Sequence, residues 1–244
     1  MQKYEVLVFC AHPDDAERHM GGTLAHLARS GRQVLMISLT SGEMGTHGDS
    51  VTRKQEFQAS AKVLGVDGLL MHFMDTGVEN TRTGQLEIAR LMRAHQPSVV
   101  FAPFPVCGSI LHGVSAHTDH YTTGELVTQS ILLAKLAKVD ATPPHRVEHL
   151  LYYMLPPDVA PNVLIGISDE DLRVGMQAIA CHESQLASYT GDVPLAEYLT
   201  SVRRVQCRQY GVRLPNGCHV AEGFLHLGPL VLRGNSLNVL FGKV

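Results

Sequence analysis

The chain has 244 residues, 45% hydrophobic and 18% charged, with a formal net charge of −3, which fits one large soluble domain with a sizeable core. No dense Lys/Arg stripe occurs and Trp is absent, which excludes a polyanion-binding face and an aromatic stacking platform. Histidine, with 14 residues, is the outlier and points to metal binding or acid–base chemistry. Residues 4–10 (YEVLVFC) read as a buried strand. Residues 17–30 follow as a helix stopped by Gly31, and 33–39 (QVLMISL) as a second apolar strand. Residues 40–51, with Gly42, Gly45 and Gly48, form a loop. Thr52 is the expected N-cap of a helix over 53–64, closed by Gly65. A third strand is expected at 69–73, a helix at 85–94, a fourth strand at 98–102 and a helix at 119–137. Beyond it, strands are expected at 147–154 and 163–167, helices at 169–188 and 195–210, and a strand-and-loop region at 220–232.

Strands alternating with helices of this length imply right-handed crossovers and a parallel sheet. Strands that are apolar throughout fit a sheet covered on both faces. The expected fold is therefore α/β, a Rossmann-like doubly wound, mostly parallel sheet with helices on both faces. One domain is expected over residues 1–244, with a core to about 140 and a C-terminal elaboration after it. The stretch 94–118 carries no Asp, Glu, Lys or Arg for 25 residues. Pro97, Pro103, Pro105, Gly108 and Gly113 interrupt it, so it reads as a buried strand running into a long loop rather than a membrane span. Cys10, Cys107, Cys181, Cys207 and Cys218 form no CxxC pair and read as reduced thiols. With no signal-peptide pattern at the N-terminus, the expected location is cytoplasmic.

Directly after the first strand stands Ala11-His12-Pro13-Asp14-Asp15, where a dinucleotide site would need GxGxxG. Two adjacent aspartates repel unless a cation or hydrogen bonds compensate. His12 and Asp15 are spaced to reach one metal, with Asp14 pointing elsewhere. A second cluster, Ser115-Ala116-His117-Thr118-Asp119-His120, follows the fourth strand. Strands one and four are neighbours at the switch point of doubly wound sheets, so the clusters are expected to meet at the carboxyl edge. His12, Asp15 and one of His117 or His120 would make a two-histidine, one-carboxylate face with an open position, as in hydrolytic zinc sites. A non-haem Fe(II) oxygenase uses a similar triad, but usually on a jelly-roll scaffold. A metal-storage protein would not need the spare Asp14.

At these residues the chain resembles the LmbE/PIG-L family of zinc-dependent deacetylases acting on N-acetylglucosamine conjugates, whose pattern is (A/G)HPDD after the first strand and HPDH after the fourth. TSGEMGTHG, Arg53-x-x-Glu56 and the run at residues 61–66 also resemble the family. Pro143-Pro144-His145-Arg146-Val147, Glu183-Ser184-Gln185 and Ala221-Glu222-Gly223-Phe224 look like the branch that deacetylates N-acetylglucosaminyl malate in bacillithiol synthesis. The resemblance implies His12, Asp15 and His120 as zinc ligands, with ferrous iron as the alternative ion. It implies Asp14 as general base, and His117 as the group that stabilises the tetrahedral intermediate or protonates the leaving amine. It further implies Asp119 as the carboxylate orienting His117, and Arg53 as a substrate contact. It implies a small-molecule substrate, no nucleic-acid or membrane partner, and a homo-oligomer, with a hexamer among the forms. Thr118 stands where the family has Pro, Ala116 where the malate branch has Arg, and His19 where a small residue is common. Deacetylases of chitobiose-like or inositol-linked sugars are the alternative activities. Glu43 and His47 are candidate pocket residues, and His182 reads as a surface or core histidine.

Overall fold

The computed structural model describes residues 2–106, 117–186, 192–210 and 220–228. The chain alternates β1 (Val6–Cys10), α1 (Asp15–Arg29), β2 (Val34–Ser38), α2 (Ser50–Leu64), β3 (Asp67–Leu70), α3 (Arg82–His95), β4 (Val99–Pro103) and α4 (Thr118–Ala134). Then come β5 (His149–Tyr153), β6 (Val163–Ile167), α5 (Asp169–Ala180), α6 (Glu183–Leu186), α7 (Leu195–Gln209) and β7 (Val220–His226). They form a seven-stranded sheet in the order β3-β2-β1-β4-β5-β7-β6. The strands from β3 to β5 pair in parallel, and β7 runs antiparallel to both β5 and β6. This is the expected mostly parallel α/β fold, with the last two strands widening one edge. Among the described residues no helix is long and apolar enough to cross a membrane.

Alternate residues of β1 serve opposite faces of the sheet. Val6, Val8 and Cys10 pack with Met20, Leu24 and Phe57, while Leu7 and Phe9 pack with Ile88, Met92 and Leu126. Both faces are covered, which is why the strand is apolar at every position. From β1 the chain runs outward to β2 and β3, then returns past β1 to β4. The connections part company between β1 and β4, and the crevice this leaves at the carboxyl ends is where such sheets bind ligands.

Several boundaries differ from expectation for physical reasons. The N-cap of α2 is Asp49, whose carboxylate accepts the Thr52 N–H at 2.7 Å, so Thr52 lies inside the first turn. The expected stop at Gly65 holds, with φ 75°. β3 starts earlier than residue 69, because Asp67 and Gly68 already pair with Leu35 and Met36, and it stops where β2 ends at Ser38. Beyond it, Met71 and Phe73 donate to Ser38 and Leu39 carbonyls, which carries the chain along the sheet edge to Asp75. The helix expected over 169–188 breaks after Ala180, and the break turns His182 into the interior, where Nε2 lies 3.0 Å from Glu17 Oε1. The expected loop at 107–116 and the region after 228 lie outside the described residues.

Helix α1 is kinked at Met20 (φ −143°, ψ 26°). The kink frees the N–H groups of Gly22 and Thr23, which donate to the two carboxylate oxygens of Glu222 at 3.1 and 2.7 Å. Arg203 completes the arrangement, donating to Glu222 Oε1 at 2.7 Å and to the Arg18 carbonyl at 3.0 Å. Just past the kink, α1 crosses α5 backbone to backbone. A Cβ added at Gly175 would stand 2.7 Å from Gly21 C and 2.8 Å from Gly22 N. Ala in a helix gains up to about 1 kcal/mol over Gly, but overpacking costs about 1–3 kcal/mol, and here the obstacle is backbone. Gly175→Ala is therefore expected to lower Tm, by about 2–4 °C per kcal/mol lost in a chain of this size. A thermal melt showing an unchanged or higher Tm would mean that the two helices slide apart freely.

Candidate metal centre

Residues 11–14 turn the chain from β1 into α1, and Asp15 opens the helix. Asp15 folds back on that turn, its Oδ2 accepting the N–H groups of Ala11 at 3.0 Å and His12 at 2.8 Å. This leaves Oδ1 facing His120 Nε2 at 3.2 Å. His120 sits in the first turn of α4, which the β1–β4 neighbourhood delivers to the same edge. His12 Nδ1 lies 3.1 Å from His120 Nε2 and 3.8 Å from Asp15 Oδ2. His12, Asp15 and His120 thus converge, and together they could hold a metal ion. Bonds of about 2.0–2.1 Å at tetrahedral angles put neighbouring ligand atoms about 3.3 Å apart, which the observed spacing brackets. Two ring nitrogens and a carboxylate oxygen facing one another at this distance need a shared cation or proton.

The ionisation of the cluster agrees with this demand. Burial opposes protonation of His12, yet the carboxylates of Asp75, Asp15 and Asp119 outweigh it and hold the imidazole up at about 9. Burial likewise works against His120, and Asp15 overrides it and raises the pKa. Burial would push Asp15 up, but His120 and His12 pull it well below the usual carboxylate range.

Asp14 takes a different direction. It occupies the N-cap of α1 in a left-handed conformation (φ 110°) and makes no capping bond. Its carboxylate is buried and accepts from Arg53 Nη2 at 3.2 Å, with Arg18 Nη1 at 3.4 Å. Burial, then the neighbouring Asp15 charge, raises its pKa to about 6, against the opposing pull of His182, Arg53 and Arg18. Arg53, near the start of α2, is also buried and donates to the carbonyls of Pro13 at 2.6 Å and Gly42 at 3.1 Å. A cation at a helix start is unfavourable for the helix dipole, and the Asp14 turn supplies its reason. Arg53 borders the cleft, but the hydrogen bonds formed by its Nη atoms go to the protein itself.

His117 is the N-cap of α4, its Nδ1 accepting the Asp119 N–H at 3.4 Å. The ring stands edge-on to His12, centroids 4.9 Å apart. Asp119 is buried, and its oxygens accept the N–H groups of Thr76 at 2.8 Å and Val78 at 3.4 Å. Its Oδ2 lies 3.9 Å from His117 Nδ1, an ion-pair distance rather than a hydrogen bond. The expected clamp on His117 is thus loose, and Asp119 chiefly holds the turn after β3.

That turn carries a residue the sequence reading missed. Asp75 is buried, with Oδ1 3.0 Å from His12 Nε2 and Oδ2 accepting the Met44 N–H at 2.9 Å. Its own N–H donates to Glu43 Oε1 at 2.9 Å, which places Glu43 behind the site. The available signal was its place, an acid in Asp75-Thr76-Gly77 just past a strand at the sheet's carboxyl edge. His182 proves to be a fully buried core histidine, and His47 is exposed on its loop. The cleft over the cluster measures about 330 Å³, and Met44, Thr46, Thr76 and Gln185 line it alongside the ionisable groups.

The family model described as PIG-L, GlcNAc-PI de-N-acetylase, matches residues 7–131. The diacetylchitobiose deacetylase of Thermococcus kodakarensis is 29% identical over 240 residues, covering 92% of this chain and 86% of that one. Two solved structures share the fold closely. The conserved protein TT1542 from Thermus thermophilus superposes with a TM-score of 0.79 at 29% identity, covering 96% of this chain and 98% of its own. The N,N'-diacetylchitobiose deacetylase from Pyrococcus horikoshii gives 0.76 at 26% identity, covering 91% and 83%. The matched stretch runs from β1 into α4 and contains the whole converging cluster, and the chain belongs to the PIG-L, GlcNAc-PI de-N-acetylase family.

Proposed function

We propose that the protein is a metal-dependent amidohydrolase that removes the acetyl group from an N-acetylglucosamine conjugate. The observation that carries this reading is the convergence of His12, Asp15 and His120 beside a buried carboxylate, Asp14, that is outside the ligand set and borders the same cleft. The family match and the diacetylchitobiose deacetylases among its relatives support the reaction class. Zinc suits a nitrogen-and-oxygen donor set of this spacing, with ferrous iron as the alternative. Bound there, the ion polarises the amide carbonyl and makes water a stronger acid.

The residues divide the remaining work. Asp14 accepts the proton of the attacking water as its oxygen bonds to the acetyl carbon. His117 accepts the Asp119 N–H at Nδ1, so its proton belongs on Nε2, where it can donate to the oxyanion that develops. The C–N bond then breaks, acetate departs, and the amine takes a proton from Asp14 or His117. Arg53 holds Asp14 in place. We propose N-acetylglucosaminyl malate as the substrate, on the resemblance of three sequence stretches. Arg18, at the cleft mouth, is the cation that an acidic aglycone would meet. The chitobiose-type disaccharide is the competing substrate, favoured by the 29% identity to the Thermococcus kodakarensis enzyme.

The test is metal analysis of the purified protein followed by acetate release from N-acetylglucosaminyl malate, diacetylchitobiose and free N-acetylglucosamine. One ion per chain and a kcat/KM about tenfold or more in favour of the malate conjugate are expected. Preference for the disaccharide removes the malate assignment alone. No acetate from any of the three, in metal-loaded protein, removes the hydrolase reading.

A further inference from the structure

The imidazole of His12 meets different demands at its two nitrogens. Nδ1 faces the ligand cluster, 3.1 Å from His120 Nε2 and 3.8 Å from Asp15 Oδ2. Nε2 faces two carboxylates, 3.0 Å from Asp75 Oδ1 and 3.5 Å from Asp119 Oδ2. A neutral imidazole has one N–H and one lone pair. With the proton on Nδ1, an N–H would block the cluster and a lone pair would oppose two carboxylates. With the proton on Nε2, the N–H meets Asp75 and the Nδ1 lone pair is free for a cation. We infer that Asp75 is a positioning residue that fixes His12 as the Nε2–H tautomer and so makes Nδ1 the metal-binding nitrogen. This inference rests on the metal-hydrolase reading and deepens it.

Asp75 is built for that task. Oδ2 accepts the Met44 N–H, the residue's own N–H is held by Glu43, and the next N–H, of Thr76, is held by Asp119. The carboxylate is pinned from the glycine-bearing loop on one side and from α4 on the other. A rival arrangement exists, since His12, Asp75 and His117 also lie close enough to share an ion, which would use Nε2. Burial favours the first set. His12 and His120 are 12% and 20% exposed, whereas the His117 side chain is 41% exposed. A carboxylate behind a ligating histidine commonly orients the ring and raises its affinity for the metal.

The test uses the full chain with ¹⁵N-labelled histidine, loaded with ¹¹³Cd. Scalar coupling is expected at His12 Nδ1 and His120 Nε2, with a proton detected on His12 Nε2. This measurement needs no variant. In Asp75→Asn the single amide oxygen cannot serve both the His12 and Met44 N–H groups. Its affinity for Zn²⁺ alone, measured against a chelating dye, is expected to fall about 10–100-fold. Coupling at His12 Nε2 in protein that still releases acetate overturns the inference and leaves the hydrolase reading intact. Wild-type affinity in folded Asp75→Asn also overturns it. No cadmium uptake by the wild-type protein overturns both.

Discussion

Asp14→Asn is expected to keep the metal and cut kcat by about 10²–10⁴-fold, the usual worth of a positioned general base. Asn is the right substitution because the position is left-handed, with φ 110°, and Asn and Asp tolerate that region better than other side chains. The amide still accepts from Arg53 through its oxygen, so the turn that carries His12 and Asp15 is kept. What is lost is a group that takes a proton. Burial and the Asp15 charge place that group at about 6, close to where a base is useful near neutral pH. The carboxylate must be ionised to act, so the wild-type rate should fall on the acid side of about pH 6, or lower once a bound cation pulls the pKa down. That limb should vanish from the residual rate of the variant. Metal content by elemental analysis and a pH–kcat profile decide it. A variant with one ion per chain and near-wild-type turnover would exclude Asp14 as the base.

The parallel sheet was legible because β1, β2 and β4 are buried at every position, and only a sheet covered on both faces asks for that. That His12 and Asp15 would meet one of His117 or His120 followed from the adjacency of the first and fourth strands in doubly wound orders, and the family resemblance singled out His120. Asp75 offered only its place, just past a strand at the sheet's carboxyl edge. It carries no motif, and its contact with His12 depends on an irregular stretch running along β2 after regular pairing stops. Arg53 was visible as an anomaly at a helix start, but besides Asp14 its partners are the carbonyls of Pro13 and Gly42, backbone atoms that any residue would supply.

The stretches that resemble the malate branch lie mostly away from the cleft. Glu222, in Ala221-Glu222-Gly223-Phe224, is buried against the kink of α1. His145 binds the carbonyl of Pro97, which precedes β4, at the end of the sheet away from the cluster. Ser184 binds Glu56, and only Gln185 borders the cleft. Most of these residues serve the scaffold, and Gln185 is the residue through which the three stretches would reach the substrate.

Glu222→Ala is expected to destabilise the fold by about 3–5 kcal/mol, the range for breaking one side of a buried ion pair. The Arg203 and Glu222 side chains are 4% and 1% exposed, so the guanidinium would keep a charge that water cannot reach. The N–H groups of Gly22 and Thr23 would lose their acceptors as well, at a point where the kink has already removed the helix's own. Total stability for a domain is about 5–15 kcal/mol, so this loss is a large share of it. Urea unfolding of the metal-free proteins measures it. The effect should reach the metal centre, because Arg203 also holds the Arg18 carbonyl, one turn after Asp15. Zinc affinity of folded Glu222→Ala should therefore fall too, and added zinc should restore part of the midpoint, since an ion that binds only the folded chain stabilises it by mass action. A loss below about 1 kcal/mol, the range of an ordinary surface contact, would mean that α1 straightens without Glu222 and that its kink is not what seats Asp15.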